Sequence, residues 1–421
     1  MCHDGSKALL DDDIICRMKV GFPEERGAVL PALRILIVGS ANSVHVVTRA
    51  RALAHVGGDV AIISTEQPRQ DIDDLRVLAP TLRRGLWRRI RSFRSLDRLI
   101  RNTPADVIFV HYASGYGAWL AQTDSRGLAV SIMGDDVLPH GMKRRSRISR
   151  WLTGRLLRQA DLVTAKSSYL GAIATGMGVD SDRIMNVFWG VDLANFRNVP
   201  DTLRADLSID ASQPVVFSPR MMRPKYHIDL LVDAIPSILA VVPNTCFVIS
   251  EHNADPLYRD QLRRRLRQLG VEQSARLVGE IEPGRMPEYY ALADVTVSLH
   301  DRDGFPQSVL ESMAAGTPCV VGRIPELDGI IEHEKHVLFT DFDSDAVGTA
   351  VHQILSGHPL VDRLVSAGRV FVSDRANLRT EARRVYRRLG EIAKRRDPRW
   401  RLPITGVILL EPIISRISRK K

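Results

Sequence analysis

Short apolar runs recur along most of the chain, and between them apolar residues return at helical spacing. Arg34-Ile35-Leu36-Ile37-Val38-Gly39 reads as a buried parallel strand that ends in glycine. Residues 44–56 carry Val47, Ala50, Leu53 and Ala54 on one helical face, Gly57-Gly58 stops them, and residues 59–64 are the next strand. Together these make a βαβ unit. Residues 107–110, 129–132, 162–165 and 184–187 continue the series of strands. The pattern loosens from Asn195 to Pro214 and then restarts. Residues 215–218, 247–250, 276–279, 295–298 and 319–321 read as strands, and 228–242, 257–269, 286–292 and 308–315 as helices. Two successive doubly wound sheets put a cleft between their strand C-termini, where ligands bind. The expected organisation is a weakly structured leader over 1–30, a Rossmann-like domain over 31–195, a second over 196–390, and a basic and apolar tail over 391–421.

Composition supports a globular reading. The chain of 421 residues suffices for two domains, and 44% hydrophobic with 26% charged residues argues against disorder. Cys2, Cys16, Cys246 and Cys319 form no C-x-x-C pair and no zinc spacing, so a reduced, cytoplasmic compartment is expected rather than a disulfide framework. Asp11-Asp12-Asp13 stands where a secretory leader would be positive, so no signal peptide is expected. No apolar stretch is long enough to span a bilayer, and residues 402–414 are interrupted by Pro403, Gly406, Glu411 and Pro412.

The net charge is +10, and its clustering matters more than its size. Over residues 83–101, Arg83, Arg84, Arg88, Arg89, Arg91, Arg94, Arg98 and Arg101 stand against one acid, Asp97. Leu86, Ile90, Phe93 and Ile100 share one helical face there, with Trp87 beside it. Such a helix reads as binding an anionic membrane surface, or as packing its apolar stripe on the sheet with a solvated basic face. Lys143, Arg144, Arg145 and Arg147 form a second cluster. No nucleic-acid-binding signature accompanies this charge, so nucleic acid is not an expected partner.

Most of the chemistry lies in residues 301–318. Asp303 and Glu311 have seven residues between them, Gly304, Phe305 and Pro306 form a turn, and Gln307, Ser308 and Val309 lead into a helix that stops at Gly316 before Pro318. The unpaired N–H groups of that helix start suit a pyrophosphate. Gly304 admits close backbone approach by a ligand. Asp303 suits sugar hydroxyls and Glu311 a ribose. Without context, the same two acids are a helix cap and a solvated acid complementing the dipole. Arg220 and Lys225 follow the strand 215–218 and supply a fork and a point charge for a diphosphate, or are ordinary surface cations. In the first half, Gly39, Ser43 and His45 follow the first strand, the natural place for a phosphate or acceptor loop. Gly134-Asp135-Asp136 offers two carboxylates to sugar hydroxyls or to capping of the following turn.

These residues resemble the donor-binding signature of retaining glycosyltransferase family 4, the glycosyl transferases group 1. That signature has two glutamates with seven residues between them, Gly-Phe after the first, and E-x-M-A-x-G-x-P around the second. Glu311, Met313, Ala314, Gly316 and Pro318 match in register, while Asp303 stands where the family usually has glutamate. Gly190-Val191-Asp192 with Phe196 looks like the family's G-V-D-x-x-x-F crossover segment, and Arg220 with Lys225 like its R-x4-K pair. Residues 289–295 look like the helix-to-strand passage before the acid loop. Residues 131–137 look like the segment where many members have His-Gly-x-Asp, with Met133 at the histidine position. The likeness runs from about Leu33 to near Leu389.

The resemblance implies an α/β GT-B fold of two facing Rossmann-like parallel-sheet domains. It implies retaining, hexosyltransferase-like transfer from an NDP-sugar to a hydroxyl of a glycan or lipid-linked acceptor, in cell-surface polysaccharide or lipopolysaccharide biosynthesis. Asp303, Arg220 and Lys225 are then catalytic, and Glu311, Gly304, Phe305, Pro306, Gln307, Ser308 and Val309 bind the donor. Gly39, Ser43, His45, Gly134, Asp135 and Asp136 are the acceptor-side and sugar-side candidates. No metal or other cofactor is expected, since Asp303 of the formal D-x-D already fills the first-acid position and cations serve the diphosphate. A cytoplasmic protein, peripheral on the inner face of the cytoplasmic membrane, is expected. Two alternatives stand beside this: an epimerase or phosphorylase on the same fold, and a non-enzymatic basic protein binding anionic membrane or nucleic acid.

Overall fold

The computed structural model describes residues 32–394, apart from 65, 69–71, 80–85, 122–123, 125 and 144. The expected leader over 1–30, the tail beyond 394, and Arg83, Arg84 and Arg144 lie outside the described residues.

Among the described residues the first sheet has seven parallel strands: Leu33–Val38 (β1), Gly58–Ile63 (β2), Arg76–Leu78 (β3), Val107–His111 (β4), Gly127–Ile132 (β5), Leu162–Ala165 (β6) and Ile184–Asn186 (β7). Their order is β3-β2-β1-β4-β5-β6-β7. The second sheet has six: Val215–Ser218 (β8), Cys246–Ser250 (β9), Ala275–Val278 (β10), Val295–Ser298 (β11), Cys319–Gly322 (β12) and Leu338–Thr340 (β13), in the order β10-β9-β8-β11-β12-β13. Every residue of β5, β9 and β12 is buried, as in parallel sheets covered by helices on both faces. The winding reverses between β1 and β4 and again between β8 and β11, so a crevice opens at each reversal. This is the GT-B architecture expected from the sequence.

The helix Val44–His55 turns inward a face that shares Ala50 and Leu53 with the expected one and is shifted toward Val46 and Arg49. Val46, Arg49, Ala50 and Leu53 are buried, while Val47 is half-buried. The helix packs on β2 and lies alongside a second helix, Leu378–Lys394. That second helix also packs on β4, β5 and β6. Its Tyr386 hydroxyl accepts the Leu33 N–H at 3.0 Å and donates to the Gly57 carbonyl at 3.1 Å. Residues 378–394 therefore belong with the first sheet, and the expected domain boundary at 390 moves.

The chain crosses between halves twice in one place. Val191 N–H donates to the Ala376 carbonyl at 2.9 Å, and Leu378 N–H to the Val191 carbonyl at 3.0 Å. A Cβ on Gly190 would fall 1.5 Å from the Ala376 carbonyl oxygen, so only glycine fits. Glu381 is 2% exposed and accepts the Phe188 and Gly190 N–H groups, each at 2.8 Å. Burial raises its pKa to about 7 against those two bonds. Among the described residues no helix is long and apolar enough to cross a membrane.

Candidate active site

Strands β8, β11 and β12 lie side by side, and charged loops leave their C-terminal ends. β8 leads to Arg220 and Lys225, β11 to Asp301 and Asp303, and β12 to the turn Pro325–Leu327 with Glu326. Arg220, 9% exposed, donates to Asp303 Oδ2 through Nη2 at 3.0 Å and to Ser308 Oγ through Nη1 at 3.0 Å. Its guanidinium lies 4.4 Å from the Tyr226 ring centroid. Ser308 Oγ is 2.8 Å from Ser298 Oγ at the end of β11. One arginine thus ties the first acid to the start of the helix Gln307–Ala315. Burial alone would raise the Asp303 pKa, but Arg220, His300 and Lys166 bring it down to about 2. His300 itself is fully buried, and burial with Arg220 pushes its pKa to about 3, so it is neutral at pH 7. Lys225 reaches the same Tyr226 ring at 4.9 Å and Asp135 of the first half at 3.4 Å.

The helix Gln307–Ala315 follows Pro306, and no side chain caps its start. Gln307 Nε2 donates to the Gly190 carbonyl at 2.9 Å, joining the helix start to the crossover. Glu311 accepts the Tyr290 hydroxyl at 2.8 Å. Burial raises the Glu311 pKa to about 7, against the pull of Tyr290, Lys166 and Arg220. Gly316 ends the helix at φ 77°, the left-handed cap read from the sequence.

Three expectations for this loop change. The Phe305 ring is fully buried and meets Phe188 edge-on at 5.1 Å, so it anchors the loop from inside. The Val309 side chain is also fully buried in that cluster. Only the backbone of these two residues can face a ligand. Gly304 is needed for loop-to-loop approach: a Cβ there would lie 2.3 Å from the Met133 carbonyl oxygen.

The first half presents a pocket of about 400 Å³ lined by Gly39, Ser40, Ser43, His45, His111 and Met133, among others. Behind it Arg49, 2% exposed, donates to His111 Nδ1 at 2.7 Å, to Ser131 Oγ at 3.0 Å and toward Met133 Sδ at 3.2 Å. Arginine only donates, so His111 carries its proton on Nε2. Burial, then Arg49 and His45, pushes the His111 pKa well down. His45 opens to solvent at the pocket, while the enclosing walls and the cations Lys166 and Arg49 lower its pKa. Asp135 stays half-exposed beside Lys225. Asp136 does not reach the cleft. It is 0% exposed, and its two oxygens accept the N–H groups of Met133, Gly134 and Ala113 at 2.8 to 3.0 Å. It is a loop cap and not a sugar contact. Gly134 takes φ 132° where this loop meets Gly304.

Lys166 was not singled out from the sequence. It follows β6, is 3% exposed, and donates to the Phe305 carbonyl at 3.2 Å from the opposite half. Burial and Arg49 push its pKa to about 8. A lysine directly after an apolar strand was the available signal. Arg49 and Glu381 have one too: each is a charged residue on an otherwise apolar helical stripe. Asp301 is paired with Arg302 at 2.9 and 2.5 Å, so the two acids of the formal D-x-D each serve an arginine. Among the described residues no group of three or more His, Cys, Asp or Glu is arranged to hold a metal ion.

Residues 200–371 match the family model described as glycosyl transferases group 1, and residues 34–167 that described as glycosyl transferase 4-like. The chain is 27% identical over 251 residues to a GDP-mannose-dependent alpha-(1-6)-phosphatidylinositol monomannoside mannosyltransferase of Mycolicibacterium smegmatis, covering 56% of this chain and 64% of the relative. It is 25% identical over 237 residues to the lipopolysaccharide core biosynthesis mannosyltransferase LpsB of Rhizobium meliloti, covering 55% and 65%. The chain thus spans less than two thirds of either relative's length. The crystal structure of Anabaena Alr3699/HepE in complex with UDP and glucose superposes with a TM-score of 0.73 at 16% identity, over 85% of this chain and all of that one.

Proposed function

Since this chain belongs to the group 1 glycosyl transferases, with a family-4-like GT-B fold, we propose that it transfers a sugar from an NDP-sugar to a hydroxyl acceptor with retention at the anomeric carbon. One observation carries this reading: Arg220 bridges Asp303 and Ser308 at the uncapped start of Gln307–Ala315, beside the β8/β11 crevice. Arg220, Lys225 and the helix N–H groups would receive the charge that develops on the leaving diphosphate. Asp303 would hold the donor sugar and Glu311 the ribose. The anomeric bond to the diphosphate breaks while a bond to the acceptor oxygen forms on the same face, through an oxocarbenium-like transition state. The acceptor proton goes to the leaving diphosphate, which suits Met133 at a position where many family members have histidine. No metal is called for in this reading, because Arg220, Lys225 and the helix start would serve the diphosphate.

The pocket holding His45 would take the acceptor, a glycan or lipid-linked molecule of cell-surface polysaccharide or lipopolysaccharide synthesis. The names of the two mannosyltransferases support that class. Charge supports an anionic membrane as its setting, on the cytoplasmic side. Helix Leu86–Asn102 exposes Arg94 and Arg98, and helix Arg147–Gln159 exposes Arg147, Arg150 and Trp151. Both helices bury leucines in one cluster, so they cover the same face of the first sheet. Nucleic acid is not an expected partner.

A thermal-shift screen of the full chain against UDP, GDP, ADP and their sugar conjugates tests the reading. The expected result is stabilisation by one nucleotide family, lost in Glu311→Ala. Folded protein that no nucleotide stabilises, with or without vesicles and acceptor glycans, would overturn it.

A further inference from the structure

The turn after β12 holds a carboxylate that no role above uses. Glu326 is 5% exposed, and its Oε2 has no hydrogen-bond partner among the described residues. A buried acceptor without a donor is costly, so such an atom calls for a donor from outside the fold. Its position indicates the kind. β12 runs beside β11, so the turn Pro325–Leu327 leaves the sheet next to the loop of Asp301, Arg302 and Asp303. Glu326 lies within electrostatic range of all three. The turn also packs on helix Ser168–Gly176 of the first half, just beyond Lys166. The nearby guanidinium groups have other partners: Arg302 pairs with Asp301, and Arg220 with Asp303.

We propose that Glu326 is a specificity-determining residue of the donor site, accepting a hydrogen bond from a hydroxyl of the same sugar that Asp303 holds. This rests on the donor-site reading above. Asp303 is one methylene shorter than glutamate, and Glu326 supplies a second acceptor from the neighbouring strand. The pair narrows the substrate class. Carboxylates accept and do not donate, so they suit the several hydroxyls of a neutral hexose. They repel a hexuronate, whose own carboxylate would face them.

The test uses the full chain and its Glu326→Gln and Glu326→Ala variants. Each is titrated calorimetrically with UDP, GDP and ADP and with their hexose and hexuronate conjugates. Bare nucleotide is expected to bind all three proteins within about twofold, because the proposed contact of Glu326 is to the sugar and not to the diphosphate. The hexose conjugate is expected to lose about ten- to a hundredfold in Glu326→Ala, the loss of one hydrogen bond to a charged group. The hexuronate conjugate is expected to gain affinity in Glu326→Gln. Unchanged hexose-conjugate affinity in both variants overturns the proposal. So does an equal loss of bare nucleotide and conjugate with a lowered melting temperature, which assigns Glu326 to the fold. A wild-type chain that binds no nucleotide removes the donor-site reading itself.

Discussion

The two halves have similar sheets but meet their shared cleft with different chemistry. At the ends of β8 and β11 the side chains are charged and committed: Arg220 to Asp303, Arg302 to Asp301, Lys225 to Asp135. Around the first-half pocket the side chains are serines, two imidazoles, a phenol, a thioether and aliphatic groups, and the arginine sits behind the lining. Charge fixed in advance can stabilise charge that appears during a reaction without reorganising. A neutral pocket instead selects by shape and by single hydrogen bonds. The difference argues for a division of labour, with leaving-group chemistry on the second half and recognition of the attacking hydroxyl on the first.

That division can be broken at its strongest point. Arg220→Ala removes the partner of Asp303 and Ser308 together, and should lower kcat/KM by about 10²–10³-fold, with donor affinity falling as well. Steady-state kinetics check it, and a loss under tenfold would mean that Arg220 mainly holds the loop. Glu311→Gln probes the same half through pH. The folded-state pKa is raised to about 7 from its ordinary value of 4.5, so folding favours the protonated acid. Stability from this group is present below about pH 4.5 and is lost as pH rises through 7. The glutamine variant should therefore melt like wild type near pH 5 and gain about 1–2 kcal/mol over it by pH 8, allowing for the partial solvent exposure of the side chain. Its donor affinity relative to wild type should fall over the same range, as the wild-type carboxyl ionises. A melting curve that tracks wild type at every pH would show that Glu311 is ordinarily solvated. The smallest effect belongs to the first half. His45→Ala should raise the acceptor KM by about three- to tenfold and leave donor binding alone. Weakened donor binding in this variant would erase the division.

The apolar runs made both sheets legible, because a strand buried on two faces leaves an unbroken signature. β3 and β13 escaped as three-residue strands at the sheet edges, while β7, as short and also at an edge, was legible within residues 184–187. In the site, the acid loop was legible because turn, acids and glycine stop are contiguous. Lys166 and Arg49 showed only as charges in an apolar setting, and Tyr290 and Glu326 not at all as site residues, since the role of each depends on contacts with other elements, as Lys166 with the Phe305 carbonyl 139 positions away. The reason for Gly304 also escaped, because the backbone it must clear, at Met133, is 171 positions away. Asp135 and Asp136 are adjacent and chemically alike, and only the fold separates the one beside Lys225 from the one that caps its own loop.

Tyr386 and Leu33, hydrogen-bonded at 3.0 Å, are separated by 353 positions. Helix Leu378–Lys394 covers the outer side of a sheet whose strands were all made long before it. At a ribosome adding about 5–20 residues per second, the first half would wait roughly ten seconds or more after its last strand for its final helix. During that interval the apolar surface later covered by this helix stays open to chaperones or to wrong partners. Completion of the first half is thus timed by synthesis of the second, so the two mature together.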